Sequence, residues 1–143
     1  MQYEAFVTRE GGQFLIEFPD CPGCQTFAEN GDEVVSVARE ALEGWLETNL
    51  VERRVPPRPR KHRAPAKAKR LVVVVPPKLS VALQVRWARQ DGRLSQAELA
   101  RKVGVTQQAI AKLEDPDANP TLETVQKTAD ALGLDVEVTL SKR

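Results

Sequence analysis

Cysteine, histidine and aromatic side chains are scarce in this chain: its 143 residues include 2 Cys, 1 His, 1 Met, 1 Tyr, 2 Trp and 4 Phe. Cys21 and Cys24 have the spacing of a redox motif or half of a zinc site. No second ligand pair accompanies them, and the only histidine, His62, stands in a different kind of segment. A reactive thiol of this spacing sits at a helix N-terminus, whereas Cys21 follows a strand inside a turn, so neither a metal nor a cofactor is expected. Long apolar runs are also missing. The longest, Leu71 to Val75, falls far short of the roughly 20 residues that span a bilayer. The opening stretch MQYEAFVTREGG has neither the basic start nor the apolar core of a signal peptide. The expected location is cytoplasmic, with no membrane partner, and a structural disulfide is not expected in that reducing setting.

What is abundant is charge, and it is segregated. The overall balance is +1, yet residues 1–52 hold 2 basic and 11 acidic side chains, a balance of −9. Residues 53–70 hold 9 Lys or Arg and no acid, and residues 71–143 hold 10 basic and 9 acidic side chains. Such asymmetry points to segments with different partners.

The hydrophobic pattern divides the chain in two. Tyr3 to Arg9 alternates as a strand, Gly11-Gly12 turns, and Phe14 to Phe18 is a second strand; Gln25 to Ala28 makes a short third. Asp32 is a candidate N-cap for a helix from Glu33 to Leu50. Its apolar face carries Val34, Ala38, Ala41, Leu42, Trp45 and Leu46, and its polar face carries Glu33, Glu40, Glu43 and Glu47. The Pro-rich basic segment 53–70 is expected to be a mobile linker, able also to attract phosphates non-specifically or to serve as a protease cleavage site, and Leu71 to Val75 a buried strand. The order is βββαβ for a domain over 1–76. A second domain over 77–143 reads as four helices followed by a terminal strand, Val136–Leu140. The fold class is α+β.

The motif with the clearest chemistry is SQAELARKVGVTQQAIAKLE, residues 95–114. Ser95 and Glu98 form a capping box, Ala100 is small where two helices cross, Gly104 permits the positive φ of a tight turn, and Thr106 caps the next helix. This stretch resembles the Cro/C1 (XRE) family of phage-repressor helix-turn-helix domains. The resemblance implies binding to double-stranded operator DNA with the 106–114 helix in the major groove. Gln107 and Gln108 would then face base edges, Lys112 a base or phosphate, and Gln96 a phosphate, with Thr106 at the helix start. A glutamine bidentate to adenine discriminates by about 1–3 kcal/mol. Lys112 departs from the lambdoid Gln, which leaves the base preferred there open. The near-neutral charge of 71–143 is the argument for the alternative, a helical domain that binds protein. One module binds weakly, so a homo-oligomer, dimer or tetramer, is expected to read two half-sites.

The N-terminal motif is Phe18-Pro-Asp-Cys-Pro-Gly-Cys24, followed by a short strand, a Gly-Asp-Glu helix start and a helix ending E-A-L-E-x-W-L. It resembles the HicB antitoxin family, in which a degenerate RNase-H-like domain often precedes a DNA-binding module. The resemblance implies neutralisation of a small basic HicA-like toxin, an mRNA-cleaving ribonuclease, and repression of the chain's own operon. The −9 balance suits such a partner independently. Glu4, Glu17, Asp20, Glu40, Glu43 and Glu47 are the candidate toxin contacts. Two other readings stay open. One is a stand-alone regulator whose N-terminal domain senses a ligand or protein. The other is a nuclease, although Glu4, Glu17 and Asp20 match no two-metal spacing, so no catalytic residue is assigned.

Overall fold

Gly11 and Gly12, with φ of 57° and 83°, close a hairpin between β1 (Gln2–Glu10) and β2 (Gln13–Glu17). The register pairs Glu10 with Gln13 and Phe6 with Glu17. β3 (Gln25–Ala28) adds to the outer side of β2, and β4 (Lys69–Val74) to the other side of β1. The result is an antiparallel four-stranded sheet in the order β3-β2-β1-β4. Between β3 and β4 the chain forms α1 (Val34–Val51). The computed structural model describes residues 1–143 and divides into two compact units, Met1–Ser80 and Val81–Arg143. The dividing point lies a few residues beyond the expected boundary at 76.

The period-two alternation of the strands decides the core of the first unit. Tyr3, Ala5 and Ile16 point to one face with Val73, the partner of Tyr3, and all are buried. α1 covers this face with Ala38, Leu42, Leu46 and Leu50, one residue per turn. Burying four such apolar positions is worth several kcal/mol at about 25 cal/mol per Å². Asp32 is not the expected cap: it lies inside a short 3-10 turn, Gly31–Glu33, and α1 starts without a side-chain cap.

The other face carries Glu4, Phe6 and Glu17, and here the basic segment departs from its expected behaviour. Its composition predicts a mobile linker, but residues 56–70 lie as a strap against the unit. Pro56 is buried, and the Tyr3 hydroxyl donates to the Pro57 carbonyl at 2.6 Å. The Arg60 N–H donates to Asp20 Oδ2 at 2.8 Å, and the His62 N–H donates to Glu4 Oε2 at 2.9 Å. His62 Nε2 lies 2.8 Å from Asp20 Oδ1, and Arg70 pairs with Glu4 at 3.4 Å. The physical reason is that Asp20, 5% exposed, is buried at the end of β2 and has to be met by donors. The nearest chain able to supply them is the strap.

In the second unit, α2 (Pro77–Asp91, spanning the division), α3 (Gln96–Val103), α4 (Gln107–Leu113) and α5 (Leu122–Ala131) follow the expected helical periods. Val85, Leu99, Ala100, Ile110 and Leu113 form the core, with Val103, Val105, Val125 and Leu132 packed around it. The expected terminal strand Val136–Leu140 is absent. Residues 134–143 form no ladder, and Val138 and Leu140 are 71% and 96% exposed. Alternating β-branched residues cannot make a strand without an edge to pair with, and this helical unit offers none.

A direct test of the strap is Asp20→Ala. Removing the acceptor of a main-chain N–H and an imidazole is expected to cost about 2–3 kcal/mol in urea unfolding. It should also make the peptide bonds around Arg60–Arg63 susceptible to limited trypsin digestion under conditions in which the native chain is spared.

Candidate nucleic-acid interface and partner surface

Each helix of the helix-turn-helix begins on a side-chain cap. Ser95 accepts the Glu98 N–H at 3.0 Å while the Glu98 carboxylate accepts the Ser95 N–H at 3.1 Å, completing the capping box. Those bonds, and then Arg101, hold the Glu98 carboxyl below its ordinary range. The stabilisation is therefore present above the unfolded value and is lost as pH falls through the folded one. Gly104 ends α3 at φ 84°, with its N–H on the Ala100 carbonyl at 2.9 Å. Two residues later Thr106 caps α4, accepting the Ala109 N–H at 3.2 Å. Ile110 and Leu113 hold the inner side of α4 in the core, so Gln107, Gln108, Ala111 and Lys112 stand exposed on the other side. The expected readers Gln107, Gln108 and Lys112 thus share one free helical surface, with Thr106 at its start.

Gln96 has a second engagement that its position in the sequence does not reveal. Its Nε2 donates to Glu114 Oε2 at 2.5 Å, which leaves the second amide N–H and the amide oxygen as its remaining polar groups. Glu114, just past α4, is 2% exposed and is also met by Arg89 of α2, with Nε on Oε1 at 2.7 Å and Nη2 on Oε2 at 3.3 Å. Arg89 in turn donates to the Leu94 carbonyl at 2.8 Å. A bidentate guanidinium, a primary amide and a buried carboxylate therefore tie α2, the start of α3 and the end of α4 together. Neither Arg89 nor Glu114 stood out in the sequence. The only signal was a charged residue continuing the apolar period of α4, where Ile110 and Glu114 share a face.

The candidate toxin contacts separate into two groups. Glu4 and Asp20 are anchors of the strap, and Asp20 is too buried to meet a partner. Glu17 is exposed on the strap side of the sheet. Glu40, Glu43 and Glu47 recur on the outer side of α1, the first and last exposed and Glu43 half-buried. The strap also changes the electrostatics. Unit Met1–Ser80 contains 12 basic and 11 acidic side chains, so the −9 of its first 52 residues describes part of its surface and not the whole.

Cys21 and Cys24 are free and buried in the Phe18–Cys24 turn, which is held by Cys21 N–H to Phe18 O at 3.0 Å and Cys24 N–H to Cys21 O at 2.9 Å. Burial pushes the Cys24 thiol up to about 11, and burial together with Cys24 and Asp20 raises Cys21 further. At neutral pH both are protonated and act as small apolar side chains. Cys24 Sγ contacts the Ala41 carbonyl at 3.6 Å, and Trp45 Nε1 donates to Pro22 O at 3.2 Å, so the turn docks on α1. No three His, Cys, Asp or Glu side chains converge where they would hold a metal ion. No helix is long and apolar enough to cross a membrane.

A sheet-and-helix unit joined to a capped helix-turn-helix defines the class: a two-unit protein whose second unit is a helix-turn-helix of the DNA-binding kind. A helix-turn-helix family model matches residues 85–138. Antitoxin HicB 1 of Photorhabdus laumondii is 32% identical over 87% of this chain and 76% of its own. Antitoxin HicB of Escherichia coli K12 is 28% identical over 98% and 99%. A chain of a solved HicA3 and HicB3 toxin-antitoxin complex superposes with a TM-score of 0.46 at 23% identity, covering 54% of this chain and 100% of that one. The chain belongs to the HicB antitoxin family.

The buried Arg89–Glu114 pair gives a sharp stability prediction. Arg89→Ala strands a desolvated carboxylate and is expected to lower the unfolding free energy of the helix-turn-helix unit by about 3–5 kcal/mol. Substituting the exposed Lys112 by alanine should change the urea midpoint little.

Proposed function

We propose that this chain binds and occludes a small basic HicA-like ribonuclease through its first unit and represses its own operon through its second. The observation that carries the reading is the pairing of an antitoxin-family chain with a helix-turn-helix whose outer surface, Gln107, Gln108 and Lys112, is free of internal partners. Glutamine amides on a helix that fits the major groove are suited to adenine N6 and N7. Gln96, held by Glu114, is the positioned phosphate contact at the start of α3.

On the partner side, the acidic stripe Glu40, Glu43 and Glu47 is the favoured toxin surface, with Glu17 secondary and Glu4 and Asp20 acting only as strap anchors. A stripe of one sign draws in a basic partner and raises the association rate more than it lowers dissociation. The chain acts by binding and not as a nuclease. A dimer reading two half-sites about one turn apart is the expected assembly, because one module provides few phosphate contacts. A stand-alone regulator with a sensing domain is the remaining alternative.

Two measurements test this. The first is binding of the purified chain to the small basic protein encoded beside it. Wild type is expected to form a stable complex and abolish RNA cleavage, and E40K/E43K/E47K to bind roughly tenfold or more weakly through a slower association rate. Absence of any such complex rejects the antitoxin reading for this chain. The second is a footprint on the chain's own promoter. Q107A/Q108A should lose about 1–3 kcal/mol of preference for the operator over random DNA at each contacted base. An unchanged preference removes these residues from base readout.

A further inference from the structure

The strap concentrates cations on the surface of a unit otherwise described by its acids. Its main chain and one imidazole make the anchoring contacts: Pro57 O to Tyr3, Arg60 N–H and His62 Nε2 to Asp20, His62 N–H to Glu4. The cationic heads are thereby left outside. Arg60 is 76% exposed, with Nε 3.9 Å from Asp20, and Lys61, Arg63 and Lys67 are exposed. Arg70 is taken up by Glu4 and by the His62 carbonyl, so it does not belong to the set. No acidic residue occurs anywhere from 53 to 70.

We propose that this strap is a second, sequence-independent contact surface for the phosphates of duplex DNA; the proposal rests on the operator-binding reading of the second unit. That unit, Val81–Arg143, contains 9 basic and 9 acidic side chains and so has no net attraction for a polyanion. Affinity for DNA comes chiefly from counterions released as cations meet phosphates. The strap supplies the cations that the reading helix lacks. Because the strap's backbone is fixed by buried anchors, its side chains are presented without ordering a flexible segment, which removes part of the cost of binding. The toxin reading calls for a basic partner, which this surface repels. Single-stranded RNA is recognised by stacking on aromatic side chains, and residues 53–70 contain no Phe, Tyr or Trp while the His62 ring is held by Asp20.

The test is fluorescence anisotropy of the full chain with operator and random duplexes across a series of KCl concentrations. The chains compared are wild type, R60Q/K61Q/R63Q/K67Q, the charge-keeping R60K/K61R/R63K/K67R and Q107A/Q108A. The Gln-substituted strap should bind both duplexes roughly tenfold or more weakly at low salt, with a log K against log salt slope shallower by about 2–4. Its ratio of operator to random binding and its urea midpoint should match wild type, and the charge-keeping variant should match wild type in all respects. A slope unchanged by the Gln substitutions overturns the proposal. So does a charge-keeping variant as weak as the Gln variant, since the loss would then be structural. Tighter binding of single-stranded RNA than of duplex, lost in the Gln variant, also overturns it by assigning the strap to RNA. If wild type shows no operator preference and Q107A/Q108A changes nothing, the operator reading fails; the slope on random duplex still decides the strap.

Discussion

A carboxylate taken out of water has to be met by donors, and in each unit of this chain one such carboxylate sets the arrangement around it. Asp20 lies at the end of β2, and its two oxygens receive the Arg60 N–H and the His62 ring. Glu114 lies just past α4, and its oxygens receive Arg89 and Gln96. Leaving either unmatched would cost several kcal/mol. That cost forces a segment rich in Pro, Arg and Lys to lie down on the sheet in the first unit. In the second it makes three helices share one fixed point.

Function follows from what these nodes leave free. Ile110 and Leu113 anchor α4 from the inside and Glu114 anchors its end, so Gln107, Gln108 and Lys112 are presented on a rigid surface. Side chains presented from a helix packed and anchored in this way lose less freedom on making a contact. In the first unit, α1 buries Ala38, Leu42, Leu46 and Leu50 against the sheet and turns Glu40 and Glu47 outward. The FPDCPGC turn contributes packing and an anchor point. Its thiols are buried and its aspartate faces the strap, so the feature that marks the family in sequence is structural in role.

Electrostatics shows why segregated charge along a chain differs from segregated charge on a surface. The −9 of residues 1–52 and the +9 of residues 53–70 meet within one unit, where Glu4 and Asp20 are matched against Arg60, His62 and Arg70. Exposed acids recur along α1 at Glu40 and Glu47, and exposed cations cluster on the strap at Arg60, Lys61, Arg63 and Lys67. A net charge therefore gives no direction; two surfaces of opposite sign do.

The local elements were legible in the sequence because each carries its own cause. Gly11-Gly12 and Gly104 supply the positive φ that their turns need. Ser95 and Thr106 cap the helices that follow them, and Ala38, Leu42 and Leu46 mark the buried stripe of α1. The exposed side of α4 was legible for the same reason, since the apolar positions of a short helix leave the others outside. Tertiary structure decided whatever depends on a distant partner. Composition makes 53–70 a mobile linker, but Asp20 and Glu4, about 40 and 58 positions away along the chain, turn it into a strap. Alternation makes Val136–Leu140 a strand, but residues 134–143 pair with no other segment of the chain. The charge of Glu114 hides a buried role because Arg89 and Gln96 come to it from separate helices. Backbone conformation is set by neighbours in sequence, whereas the protonation, pairing and exposure of a charge are set by neighbours in space.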